Sequence, residues 1–272
     1  MSYRAISLRW FLALMVCTVM PYGDLFAGPP IAFTEEAVTR GIDYLVVEGD
    51  WMAGFGCGVA FADLDNDGDP DVVVTGRADG RIGMYENDST GRFADRTLDT
   101  DIVVPPTVSG IAVGDYNGDG LLDLYITNWS GPNLLLRNLG AFQFIDQASA
   151  AGVADDGAGQ GAVFGDYDLD GWLDIYLPNR TLPPGATGVP PNRLYHNLGD
   201  GTFEEVGAAQ GVDDRGAGFQ GAFVDYDLDG DPDLYLANDK GTEGFANRLW
   251  QNVAGSFVDV TAASGAGVIG DF

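Results

Sequence analysis

The stretch GDYDLDGWLDIYL, residues 165–177, puts four aspartates (Asp166, Asp168, Asp170 and Asp174) into nine positions and runs straight into an apolar, strand-like segment. Carboxylates at that density repel one another, so the arrangement calls for a positive charge. It also recurs. Asp63-Leu-Asp65-Asn-Asp67-Gly68-Asp-Pro-Asp71 precedes it, as does Asp115-Tyr-Asn117-Gly-Asp119-Gly120-Leu-Leu-Asp123. Asp225-Tyr-Asp227-Leu-Asp229-Gly230-Asp-Pro-Asp233 follows, and the first residues of the four copies are 52, 51 and 59 positions apart.

The flanking segments repeat in the same register. Short apolar runs precede the acids (GVAFAD, GIAVGD, GAVFGD, GAFVD) and strand-like runs follow them (DVVVTG, DLYITN, DIYLPN, DLYLAN). A third segment reads RIGMYEN, NLLLRN, NRLYHN and NRLWQN, and a fourth carries Phe93, Phe144, Phe203 or Phe257. Each is short, apolar-alternating and bounded by Gly, Asn or Asp, which is how strands read. Helix signals are weak, at most a single turn after each phenylalanine. Four strands per repeat is the pattern of a propeller blade. The expected fold is therefore all-β, a β-propeller of four-stranded blades, with units at about 55–106, 107–157, 158–216 and 217–266 and the start of a fifth at 267–272.

The chain has 272 residues and a formal charge of −28, from 41 acids against 13 bases. With 46% apolar residues it can build a core. The negative field argues against nucleic acid or an anionic membrane as partner and favours cations. At the N-terminus, Arg4 and Arg9 precede the apolar run WFLALMVCTVM (10–20). That run is too short to span a bilayer, so 1–27 reads as a secretory signal cut after Ala27, with no membrane insertion afterwards. The expected location is secreted: extracellular, periplasmic or on the cell surface. Cys17 leaves with the signal, Cys57 reads as a small buried apolar residue, and no intrachain disulfide remains. A secreted chain without disulfides needs another fastener.

The acids supply one. They stand at loop positions 1, 3, 5 and 9, with glycine at 6 for the sharp turn and a backbone carbonyl available at 7. Such a cage of hard oxygens suits Ca²⁺; Mg²⁺ demands stricter geometry, and zinc or copper would want His or Cys. Up to four calcium sites follow, structural rather than catalytic. Loop 2 has Asn117 in place of an acid and is expected to be the weakest.

These motifs, together with N-R-L-Y/W-x-N and F-x-x-V/Q-x-x-A-x-G, resemble those of the FG-GAP/VCBS repeat proteins. The resemblance is strongest to the cartilage acidic protein and ASPIC/UnbV-type group, and the loops resemble those of integrin α-subunit propellers. It covers nearly all of residues 33–272. It implies calcium ligands at Asp63, Asp65, Asp67 and Asp71; at Asp115, Asn117, Asp119 and Asp123; at Asp166, Asp168, Asp170 and Asp174; and at Asp225, Asp227, Asp229 and Asp233. The backbone carbonyls of Asp69, Leu121, Trp172 and Asp231 would complete the four sets. It also implies a ring of about seven blades, of which 28–272 would be an incomplete part. The repeat register agrees: Ile31 to Gly41 matches the fourth-strand segment ending at Gly211, and Gly270-Asp271-Phe272 matches Gly165-Asp166-Tyr167.

The expected function is a secreted binding, adhesion or protein-interaction scaffold with a protein or glycan ligand. Loops between second and third strands (129–132, 180–191 and 239–246) are the candidate recognition elements, since recognition sits on loops of a rigid scaffold. Trp129 and Tyr195 could stack on sugars but read first as packing residues. The rival is the propeller of a polysaccharide-binding or polysaccharide-degrading enzyme. The sequence has no nucleophile elbow and no metalloprotease motif, so no enzymatic activity is expected. The sole histidine, His196, takes the place of Arg137 and Gln251 in sister repeats and reads as a strand-face residue. Glycosylation sequons occur at Asn87, Asn128 and Asn179.

Overall fold

The computed structural model describes residues 6–7, 34–46, 58–76, 80–100, 102–104, 107–180, 190–239 and 245–267. The expected leader apart from Ile6–Ser7, Cys57, residues 181–189 and 240–244 of the candidate loops, and 268–272 of the expected fifth repeat lie outside them.

Four antiparallel sheets of four strands carry the fold. Blade 1 is Val59–Ala62, Asp71–Val74, Gly83–Asn87 and Phe93–Asp95. Blade 2 is Val108–Gly114, Asp123–Asn128, Leu134–Asn138 and Phe144–Asp146. Blade 3 is Val163–Gly165, Asp174–Leu177, Arg193–Asn197 and Phe203–Glu205. Blade 4 is Gly218–Val224, Asp233–Asn238, Arg248–Asn252 and Phe257–Asp259. Each strand pairs with the next in sequence, so every blade is a simple meander. The last acid of each aspartate cluster is the first residue of a second strand, which ties loop register to sheet register: Asp174 pairs with Gly165, and Asp233 with Val224.

First strands of successive blades lie side by side, and the four sheets do not close into a ring. Glycine permits this approach. A Cβ at Gly110 would stand 2.6 Å from the carbonyl oxygen of Gln160, and one at Gly58 2.7 Å from that of Ser109. The second strands are the most enclosed: Asp71–Val74, Asp123–Asn128 and Asp174–Leu177 are buried throughout. Burial on both faces explains their apolar runs, Val72–Val74, Leu124–Ile126 and Ile175–Leu177.

The core is a series of wedges between blades. Val73, Met84 and Ile82 of blade 1 meet Leu124, Ile126 and Leu136 of blade 2. Tyr125 and Leu135 of blade 2 meet Ile175, Leu177 and Tyr195 of blade 3, and Tyr176 and Leu194 of blade 3 meet Leu234, Leu236 and Trp250 of blade 4. A one-turn helix follows the fourth strand of blades 2, 3 and 4 (Ala148–Ala151, Gly207–Gln210, Thr261–Ser264), each ended by a left-handed glycine. The chain beyond folds under the second-strand tyrosine: Tyr125 donates to the carbonyl of Val153, and Tyr176 to that of Val212. Ala37–Arg40 and left-handed Gly41 form the same device, and Ile42 and Tyr44 pack on Val72, Val74 and Tyr85 of blade 1. The segment at 34–46 thus sits on blade 1 as the tails of blades 2 and 3 sit on the blades that follow them.

Candidate metal centres

The four aspartate loops join first to second strands and so lie on one face of the arc. Their path is tightly curved. Glycine at position 6 is left-handed in all four, with φ of 98°, 85°, 94° and 100° for Gly68, Gly120, Gly171 and Gly230. Position 4 is left-handed as well: Asn66, Gly118, Leu169 and Leu228 have φ between 60° and 70°. For leucine that conformation is strained.

The acids hold this path. The position-1 carboxylate accepts the backbone N–H groups of positions 5 and 6. Asp166 takes those of Asp170 at 3.0 Å and Gly171 at 2.9 Å, and Asp63, Asp115 and Asp225 repeat the pair. The position-5 carboxylate accepts the N–H of position 7, as Asp170 does from Trp172 at 2.9 Å. Position 9 is the deepest. Asp71, Asp123, Asp174 and Asp233 are completely buried. One oxygen of Asp174 accepts the N–H of Tyr167 at 3.0 Å and the other that of Asn197 at 2.8 Å, and the remaining three copies match.

Burial makes these carboxylates costly to ionise. It pushes Asp71 up to about 6, Asp123 to about 7 and Asp174 to about 6, each against the pull of its two N–H donors, and it raises Asp233 as well. Asp65 is also raised, by burial first and then by the charge of Asp67. Three acids converge within 4.8 Å in each of three loops: Asp63, Asp65 and Asp71; Asp166, Asp168 and Asp170; Asp225, Asp227 and Asp229. All are hard oxygen donors with excess negative charge, so these clusters could hold a hard divalent cation.

Loop 2 differs. Asn117 donates to Asp123 at 3.2 Å, and Arg137 from the third strand bonds Asp119 at 3.0 Å, so part of the charge is answered from within. The side chains of Asp69 and Asp231 turn away from their loops. Asp69 accepts from the Ser89 hydroxyl and Asp231 from the N–H of Ala254, tying each loop to the turn between third and fourth strands. Trp172 packs against Gly199 in the same way and leaves no room for a Cβ there.

The asparagine ending each third strand was quoted above only as part of a repeated motif, but it is the keystone of the site. Besides giving its N–H to position 9, Asn138 donates its side-chain amide to the carbonyls of Leu122 in its own loop and Leu64 in the loop of blade 1. Asn197 bridges Leu173 and Tyr116, and Asn252 bridges Pro232 and Tyr167. Loops 2, 3 and 4 are therefore each fastened to the one before. Recurrence of Asn at a fixed distance from the acids was the available signal; its bridging role depends on blade packing.

The opposite face carries the loops between second and third strands. The Arg180 guanidinium lies 5.7 Å from the ring of Trp129 and pairs with Asp239, so blades 2, 3 and 4 each contribute one residue to a single cluster. Tyr195 is buried in the wedge between blades 2 and 3. Asn128 and Asn179 are fully buried, their amides closing the same loops onto Pro132 and Pro191. The folded chain does not present these two sequons.

The family model for the FG-GAP-like repeat matches residues 63–126, 115–177 and 185–236. Cartilage acidic protein 1 of Mus musculus is 27% identical over 188 residues, 62% of this chain and 28% of the relative. The Homo sapiens protein is 28% identical over the same shares, and that of Xenopus tropicalis 26% identical over 73% of this chain and 32% of its own. The chain thus spans about a third or less of the length of these curated relatives. A solved structure of an Agrocybe aegerita lectin that recognises non-reducing terminal N-acetylglucosamine aligns over 73% of this chain and 49% of its own, at 20% identity and a TM-score of 0.43.

Proposed function

The chain belongs to the FG-GAP-like repeat family, and from that premise we propose that it is a secreted β-propeller scaffold, pinned by calcium, that presents loops to a protein or glycan ligand. The single observation carrying the calcium role is the set of four fully buried position-9 aspartates. A buried carboxylate beside other acids is unfavourable unless a cation shares it. Calcium bound by Asp63, Asp65, Asp67 and Asp71, and by their counterparts, would supply that charge. The position-7 carbonyls would serve as further ligands, and the turned-away side chains of Asp69 and Asp231 fit that use. Calcium supplies charge and fixed geometry and no chemistry on a substrate, and the loop acids are committed to the loops, so the chain acts as a binding module and not as an enzyme.

The binding face is the one opposite the calcium loops, around Trp129, Arg180 and Asp239. Metal on one face would stiffen the blades that hold recognition loops on the other. The test is retention of the chain on immobilised extracellular-matrix proteins and on a glycan array, with calcium and with chelator. Retention in calcium that falls in chelator is the expected result. Turnover of a polysaccharide, lost on replacing one acid outside the loops, would overturn this reading.

A further inference from the structure

The residue before the third-strand asparagine faces the aspartate loop of its own blade and differs in every copy. In blade 1 it is Glu86, which pairs with Arg96; in blade 2 Arg137, which bonds Asp119; in blade 4 Gln251, whose amide bonds Asp227 at 2.6 Å. In blade 3 it is His196. Its Nδ1 lies 3.3 Å from Asp174 Oδ1 and 3.4 Å from Asp168 Oδ2. That nitrogen is shielded from solvent and has no hydrogen-bond partner, because neither carboxylate is aligned to accept from it. The ring is held edge-on against Tyr167, with centroids 6.0 Å apart.

We propose that loop 3 takes a transition-metal ion of the zinc class, with His196 Nδ1 as a ligand beside Asp168 and Asp174. The spacing suits such an ion. Nitrogen and oxygen donors about 2.0–2.2 Å from a common tetrahedral ion stand roughly 3.3–3.5 Å apart. A calcium shell of about 6–8 ligands at about 2.3–2.6 Å brings neighbouring donors to similar separations, so it is the nitrogen donor and not the spacing that distinguishes the ion. Imidazole with carboxylates selects borderline divalent ions, whereas the all-oxygen sets of loops 1 and 4 select hard ones. Neutral His196 carrying its proton on Nε2 would offer the Nδ1 lone pair. The inference rests on reading loop 3 as a cation cage, and gives it a different ion from its neighbours.

The probe is Co²⁺, whose visible ligand-field absorption reports nitrogen ligation, titrated into the full chain in excess calcium. One equivalent of Co²⁺ with a visible band is expected, and His196→Gln should lose about tenfold or more in Co²⁺ affinity. Gln251→His, which installs the same group over Asp227, should create a second equivalent even if His196→Gln folds poorly. Co²⁺ uptake unchanged in His196→Gln, no added equivalent in Gln251→His, or full displacement of Co²⁺ by calcium would each overturn the proposal. Calcium bound per chain, measured in the same samples, tests the calcium reading separately. Cobalt uptake that depends on His196 would sustain this inference even if no calcium bound.

Discussion

At the residue scale the account turns on position 9. Asp71, Asp123 and Asp174 ionise in the folded chain only near 6 to 7, against about 3.9 in an unfolded chain. A carboxylate raised on folding leaves stability untouched below its unfolded value and lowers it progressively as pH climbs through the folded one. Metal-free protein should therefore lose several degrees of melting temperature between about pH 4.5 and 7.5, and saturating calcium should abolish or reverse that slope. Thermal melts across this range, with and without chelator, read both. The left-handed leucines make a second residue-scale case. Leu228 is 86% exposed at φ 64°, so it contributes strain without burial. Leu228→Gly should stabilise the chain by about 1 kcal/mol in urea unfolding, since glycine takes that conformation freely. The opening stretch predicted the turn at glycine 6, but nothing in the sequence marked position 4, where Asn, Gly and Leu all adopt the same backbone.

At the scale of the element, loop and third strand work as one. Asn197→Ala removes the amide that joins the loops of blades 2 and 3 through Tyr116 and Leu173, leaving two buried carbonyls short of a donor. The expected cost is about 1–3 kcal/mol, felt in calcium and in chelator alike, because the bond lies outside the cage. Arg137 acts the opposite way. As a resident counter-charge on Asp119, together with the missing carboxylate at Asn117, it leaves loop 2 least in need of metal. Arg137→Gln should tighten calcium binding at loop 2 by a few-fold, measured by titration calorimetry. The four strands of each blade were legible because alternation, turn residues and the repeat itself all pointed one way. The acids at positions 1, 3, 5 and 9 were legible by spacing alone. The partner of each loop was not, since Asn138 lies 74 residues from Leu64 and Asn197 lies 81 from Tyr116. His196 reads as a strand-face residue, and its place over Asp168 and Asp174 depends on how the third strand packs against the loop within its own blade.

At the scale of the molecule, the blades form an arc whose faces divide the work. Aspartate loops lie on one, Trp129, Arg180 and Asp239 on the other, and the wedges between blades carry rigidity from face to face. The end blades show apolar residues: Val59 and Phe61 on blade 1, Val224 on blade 4. A chain of formal charge −28 that sets four aspartate loops on one face stores repulsion there, which makes the fold's dependence on bound cation its central property. The most direct test is the melting temperature of the chain in millimolar calcium against chelator at neutral pH. A site filled to a hundredfold above its dissociation constant adds about 2.7 kcal/mol, and a domain of this size shifts by about 2–4 °C per kcal/mol. Three filled loops should therefore raise the transition by more than about 10 °C. Superimposable melting curves in calcium and in chelator would contradict the account.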